Sequence, residues 1–292
     1  MASAPASPGA QAALEAATAG KKAADAACLA MRNRNIHRTM FLFGAGFLVL
    51  VTVLAQFLEA PPPGYKPEAP PQGGAAAAAT AVPMDLAPGQ MLRTPLFYLL
   101  WIMFACGSGA GLMIIANITT IAKIGKIEAG FILVALLAVG NASGRIVAGL
   151  LSDRIGRLWT MFIIFAFQAV LMMVLRTGLS DMVAFIVVSM LLGFNYGACL
   201  SVFPSATKDN FGLKNFGVNY GLVFTSWGVG GFVFPLLAGA TFEAAKRATG
   251  AGSYDGAYLI AALVLVFAAA LTFVTRVVET RYKRARALAS DA

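Results

Sequence analysis

The stretch Gly140-Asn-Ala-Ser-Gly144-Arg145-Ile-Val-Ala-Gly149-Leu-Leu-Ser-Asp153-Arg154-Ile-Gly156-Arg157 decides how this 292-residue chain is read. Its first half closes an apolar run, residues 129–151, that carries one ionised side chain, Arg145. Its second half is a short polar hairpin, residues 152–157, and a further apolar run opens at Leu158. Two such runs joined by a few polar residues predict two membrane-spanning helices with a tight turn between them. An arginine inside a span is costly in hydrocarbon and is expected to face a cavity or a partner.

Working outward, the whole chain has the same character. Hydrophobic residues make up 59% of it and charged residues only 12%, against about 25% charged in a soluble domain. The mean hydropathy is +0.77. Seven runs are long and apolar enough to cross a bilayer: residues 40–58, 96–122, 129–151, 158–175, 182–204, 216–242 and 257–275. The expected fold class is all-α, a polytopic membrane bundle of seven transmembrane helices.

The formal charge of +9 does not point to nucleic acid, because the basic residues sit in loops and tails. There they orient spans and meet anionic lipid headgroups, so lipid is the expected macroscopic partner. Cys28, Cys106 and Cys199 form no CxxC pair, and two of them lie inside apolar runs as small core residues. His37, the only histidine, stands among arginines in a polar flank. The spans contain no acid and no histidine, which argues against a membrane-embedded enzyme. No cofactor is expected.

Five regions follow in order. Residues 1–39 are an Ala/Ser/Gly-rich polar segment, either disordered or a weak surface helix, without the short apolar core of a signal peptide. Residues 40–58 form one isolated span. Residues 59–95 are a Pro- and Ala-rich linker, extended and without a core of its own. Residues 96–276 hold six spans joined by short connections, so sequential helices are expected to be antiparallel neighbours. Residues 277–292 are a basic tail.

Within the six-span block, small residues recur at close-packing intervals: Gly107, Gly109 and Gly111; Gly140, Gly144 and Ala148; Gly217 and Gly221; Gly228, Gly231 and Gly239. Such residues let helix backbones approach in a membrane. Pro204 and Pro235 suggest bent or broken helices. Pro95 is tolerated as the first residue of a helix. If seven spans alternate, lysines and arginines divide almost evenly between the two sides, whereas a complete membrane protein normally carries a positive-inside excess. The start of the chain is therefore not expected to be a natural start.

The segment Gly149-Leu-Leu-Ser-Asp153-Arg154-Ile-Gly156-Arg157 closely resembles the signature hairpin of the major facilitator superfamily, which recurs between the second and third helices of each six-helix half. Pro62-Pro63-Gly64-Tyr65, the run from Arg93-Thr94-Pro95 to Trp101, and the run from Phe211-Gly212-Leu213-Lys214-Asn215 to Gly221 resemble one branch, the oxalate/formate antiporter family. The resemblance covers about residues 36–276. It implies half of a major-facilitator fold, helices seven to twelve of a twelve-helix carrier, with residues 40–58 as helix six. It also implies a missing N-terminal half, for which another copy of the chain is the alternative partner. The expected location is the inner (plasma) membrane of a bacterium, with the C-terminal tail cytoplasmic. The expected substrate is a small organic anion moved by alternating access.

The residues themselves support anion chemistry. The Arg145 guanidinium stays protonated and presents a planar fork that matches a carboxylate. Asn141, four residues earlier, shares its helix face. The bland alternatives for Arg145 are pairing within the protein and snorkelling to an interface. Relatives resembling oxalate carriers use an arginine at this motif and add a lysine at the place held here by Trp227. One cation with an aromatic wall suits a monocarboxylate better than a dianion, since a second buried negative charge would lack a partner. Trp227, Phe224 and Tyr220 share one helix face, where plain packing is the competing role for Tyr220 and Phe224. Asn117, Asn195 and Tyr196 are polar groups inside spans and candidates for pore lining. Gly149, Asp153, Arg154, Gly156 and Arg157 are expected to form a gating latch, with a topology-setting charged loop as the alternative.

Overall fold

A computed structural model describes residues 36–57, 85–125, 130–179 and 181–290. Most of residues 1–39, with Cys28, and most of the linker lie outside the described residues. The chain forms two compact units, Met1–Ala69 and Pro70–Ala292. In the first, helix α1 (Ile36–Ala55) is apolar and exposed on all sides.

The second unit is a six-helix bundle preceded by one helical turn, α2 (Pro88–Met91). The six are α3 (Pro95–Ile124), α4 (Gly130–Ile155), α5 (Arg157–Arg176), α6 (Met182–Phe211), α7 (Phe216–Thr249) and α8 (Asp255–Ser290). With α1, seven helices among the described residues are long and apolar enough to cross a membrane. At the head of α3, Pro95 occupies the first turn and the Thr94 hydroxyl caps the helix by accepting from the Phe97 N–H at 3.3 Å. Both α6 and α7 run uninterrupted through Pro204 and Pro235. Helix α8 continues past residue 276 into the basic tail, where Lys283 pairs with Glu279 one turn back.

Short connections do not make sequential helices the main packing partners. The largest interfaces are α4 on α6, α3 on α7 and α5 on α8. A loop holds two helix ends together, but the contact along the shafts goes to whichever surfaces interlock best. For α4 and α6 that surface is glycine. A Cβ on any of four residues would collide with a main-chain carbonyl of the opposite helix: Met190 for Gly140, Phe194 for Gly144, Leu137 for Gly193 and Asn141 for Gly197. On α3, Gly107 makes room for Phe165, Gly109 for Phe234 and Gly111 for Tyr196. By contrast Gly217, Gly221, Gly228 and Gly239 meet nothing within 4 Å, so those glycines of α7 are not close-packing positions in this bundle.

The end of the linker is tied down at the α6–α7 junction. The Leu86 N–H donates to the Phe211 carbonyl at 3.0 Å. The Lys214 N–H donates to Asp85 Oδ1 at 2.8 Å, and the Asn215 and Asn219 amides both donate to the Leu86 carbonyl. The stretch from Phe211 to Gly221 therefore serves as a clasp for the chain entering the bundle.

Candidate functional site

Arg145 sits on α4, ten residues before Ile155, which is about 15 Å of helix. It is exposed on this bundle, and no acidic side chain among the described residues pairs with it. Its Nε donates to Asn141 Oδ1 at 3.3 Å, so the two residues expected to act together do share a helix face. Asn141 in turn lies over α6, where its carbonyl and side-chain oxygens crowd the Gly197 position. Only glycine there lets α4 come this close.

Next to Gly197, Tyr196 projects against Gly111 of α3 and takes a hydrogen bond from α7: the Trp227 indole N–H donates to its hydroxyl at 2.9 Å. The Trp227 ring stacks flat on Phe224, with centroids 5.3 Å apart and planes 9° apart. Phe224 then contacts Tyr220 at 5.5 Å, and Tyr220 stacks on Phe216 at 5.7 Å. A cation and an amide on α4 thus lie over α6, whose Tyr196 is bonded to the aromatic ladder of α7. At the head of that ladder, the Trp101 indole N–H of α3 donates to Thr225 at 2.9 Å.

Two other expected residues stand apart. Asn117 donates to the Met113 carbonyl in its own helix and accepts from the Tyr254 hydroxyl at 3.1 Å, linking α3 to the segment just before α8. Asn195 is buried, and its amide nitrogen has no partner among the described residues. Gln168 on α5, unremarked in the sequence, is fully buried with neither amide atom partnered.

The hairpin is tighter than the sequence suggests, because α4 runs to Ile155 and only Gly156 separates it from α5. Gly156 has φ 91°, a left-handed conformation that side chains strain to adopt. The turn aims Arg157 at three oxygens. Its Nη1 lies 2.6 Å from Asp153 Oδ1 and 2.5 Å from Ser152 Oγ, and its Nε donates to Asp209 Oδ2 at 2.8 Å. Asp209, near the end of α6, is the acid that sequence reading missed; it stands 52 residues from its arginine. Arg154 is exposed and forms no ion pair among the described residues. Gly149 lies against Ser201 of α6. Among the described residues no cluster of His, Cys, Asp and Glu could hold a metal ion.

Comparison with known proteins agrees with this architecture. The chain is 28% identical over 199 residues to an uncharacterized MFS-type transporter, YhjX, of Escherichia coli (strain K12), covering 67% of this chain and 47% of that protein. It is 33% identical over 161 residues to the oxalate:formate antiporter of Oxalobacter formigenes, covering 54% and 38%. It is 32% identical over 152 residues to the MFS transporter asaE of Aspergillus flavus, covering 52% and 33%. The chain therefore spans less than half the length of the curated relatives it matches. The sequence profile of the Major Facilitator Superfamily matches residues 111–291, through the hairpin, the glycine interface and the aromatic ladder, and the chain belongs to that superfamily.

Proposed function

We propose that this protein is the C-terminal part of a secondary carrier for small organic anions, carboxylates among them, working by alternating access. Arg145 carries the reading. It is a permanent cation far from either end of a membrane helix, without an acidic partner among the described residues, and it stands beside Asn141, which lies over α6. A cation so placed needs an anion or water, because hydrocarbon would not tolerate it. The single charge and the aromatic ladder favour a monocarboxylate of the formate, lactate or pyruvate kind. The oxalate:formate antiporter among the relatives supports a carboxylate substrate.

In this reading the Arg157 cluster is a latch. It ties the α4–α5 turn to the end of α6 by partly exposed ion pairs, which are cheap enough to break and remake as access alternates. The membrane is the inner membrane of a bacterium and the α8 tail is cytoplasmic. A complementary bundle, an N-terminal half or a second copy, covers the open side of α4 and α7.

Uptake of labelled formate, lactate, pyruvate and oxalate into proteoliposomes tests the proposal. Saturable uptake that Arg145→Ala abolishes is expected; uptake indifferent to that change removes Arg145 from the site. A second reading, a membrane protein with a scaffold or regulatory role that does not itself transport, draws on the short span matched in the relatives. Arg145-dependent binding by well-folded protein without uptake supports that second reading.

A further inference from the structure

The bond between Trp227 and Tyr196 has a direction. An indole nitrogen only donates, whereas a phenol oxygen both accepts and donates. The Trp227 N–H therefore uses the Tyr196 oxygen as acceptor, 2.9 Å away. The Tyr196 proton must then point elsewhere, and no acceptor takes it among the described residues. Tyr196 is nearly buried, its ring lodged against Gly111. A buried donor without an acceptor is costly. The residue that follows it, Gly197, lies beneath Asn141, the amide that holds Arg145.

We propose that the Tyr196 hydroxyl is the second contact to the bound anion, donating its proton to a carboxylate oxygen held by Arg145. This rests on the anion-carrier reading above. Trp227 is then a positioning residue. Its N–H is already spent on Tyr196, and its ring is fixed by stacking on Phe224, so it orients the phenol and does not bind substrate through its own donor. The pairing also sets specificity. A neutral donor adds a hydrogen bond without adding charge, so one carboxylate is satisfied while a second on the same molecule finds no cation.

The test uses the full chain in lipid nanodiscs with radiolabelled lactate and oxalate as probes. Wild type is expected to bind lactate more tightly than oxalate. Tyr196→Phe keeps the ring beside Gly111 and removes only the hydroxyl; it weakens lactate binding roughly tenfold or more, the usual size of a hydrogen bond to a charged group. Trp227→Phe removes the N–H together with part of the ring while leaving an aromatic face toward Phe224; it weakens lactate binding less, by roughly threefold. In the Tyr196→Phe background Trp227→Phe has no further effect, because its influence runs through the phenol. Equal losses in both backgrounds would make Trp227 a packing residue and overturn its assigned role. Unchanged lactate binding by Tyr196→Phe, with binding abolished by Arg145→Ala, overturns the proposal and leaves the anion site standing. No lactate or oxalate binding by wild type overturns both.

Discussion

Arg157 is held by oxygens that differ in how far water reaches them. The Asp153 side chain is 63% exposed, and that of Asp209 is 34% exposed. Water screens the first ion pair more than the second, and only the second joins two elements distant in sequence. Asp209→Asn is therefore expected to lower stability by about 1 kcal/mol, and Asp153→Asn by less than half of that. Thermal unfolding of detergent-solubilised protein measures the difference, and an equal loss from both would contradict it. Gln168 invites the opposite change. Both of its amide atoms are buried without partners, so Gln168→Met, of similar length and without polar atoms, is expected to raise stability by roughly 1–2 kcal/mol in the same assay. Loss of stability would mean that the amide finds partners in the folded protein. Sequence alone brought Asp153, Gly156 and Arg157 together because they lie within a turn of one another. It passed over Asp209, whose neighbours Lys208 and Asn210 look like any polar helix end; only the packing of α6 against α4 and α5 brings it to Arg157.

The α4–α6 interface is set by residues that are absent as side chains. Gly140 and Gly144 face carbonyls of α6 while Gly193 and Gly197 face carbonyls of α4, so the two backbones fit into each other reciprocally. A carbonyl cannot rotate away as a side-chain end can. Gly144→Ala is accordingly expected to cost on the order of 1–3 kcal/mol as the helices are forced apart. Gly239→Ala, where a Cβ meets nothing within 4 Å, should be neutral or gain up to about 1 kcal/mol from helix propensity. Equal responses of the two variants to thermal unfolding would remove the glycine contact as the cause. The four-residue spacing of Gly140 and Gly144 was legible, and so were the three glycines between Gly107 and Gly111. What the spacing did not reveal is the partner. Gly217 and Gly221 of α7, at the same interval, face open space, while Gly231 lies against Leu112 of α3; the identical interval on α6 went unremarked, because spacing gives a helix a groove without saying which ridge enters it. Sequential helices do touch, yet their main partners lie elsewhere for the same reason: connection length constrains the ends of two helices and is silent about their shafts.

Across the whole bundle, the packing is nearly unchanged when the first three helices are exchanged for the last three. The pair α3–α7 becomes α6–α4, α5–α8 maps onto itself, and α3–α8 becomes α6–α5. Burial follows the same exchange: 61% of the apolar window of α3 and 56% of that of α6 are buried, against 28% for each of α4 and α7. The two least buried helices are thus equivalent partners, and they carry Arg145 on one and Trp227 with Tyr220 on the other. A bundle standing alone in lipid would turn a fixed cation toward hydrocarbon, at a cost of several kcal/mol. On the proposed carrier reading, the α4–α7 side borders water enclosed by a complementary bundle. Ala138 and Ala142 lie on α4 two turns and one turn before Arg145 and are exposed on this bundle, as is Val170 on α5. With Cys28, Cys106 and Cys199 replaced by alanine, Ala138→Cys and Ala142→Cys in native membranes are expected to react with a hydrophilic maleimide much faster than Val170→Cys, whose surroundings are lipid. Lactate should slow the reaction at Ala142→Cys by occupying the space beside Arg145. Uniformly slow labelling at all three positions would place α4 in hydrocarbon along its whole open face, and neither the carrier nor a complementary half would then explain why an arginine stands there.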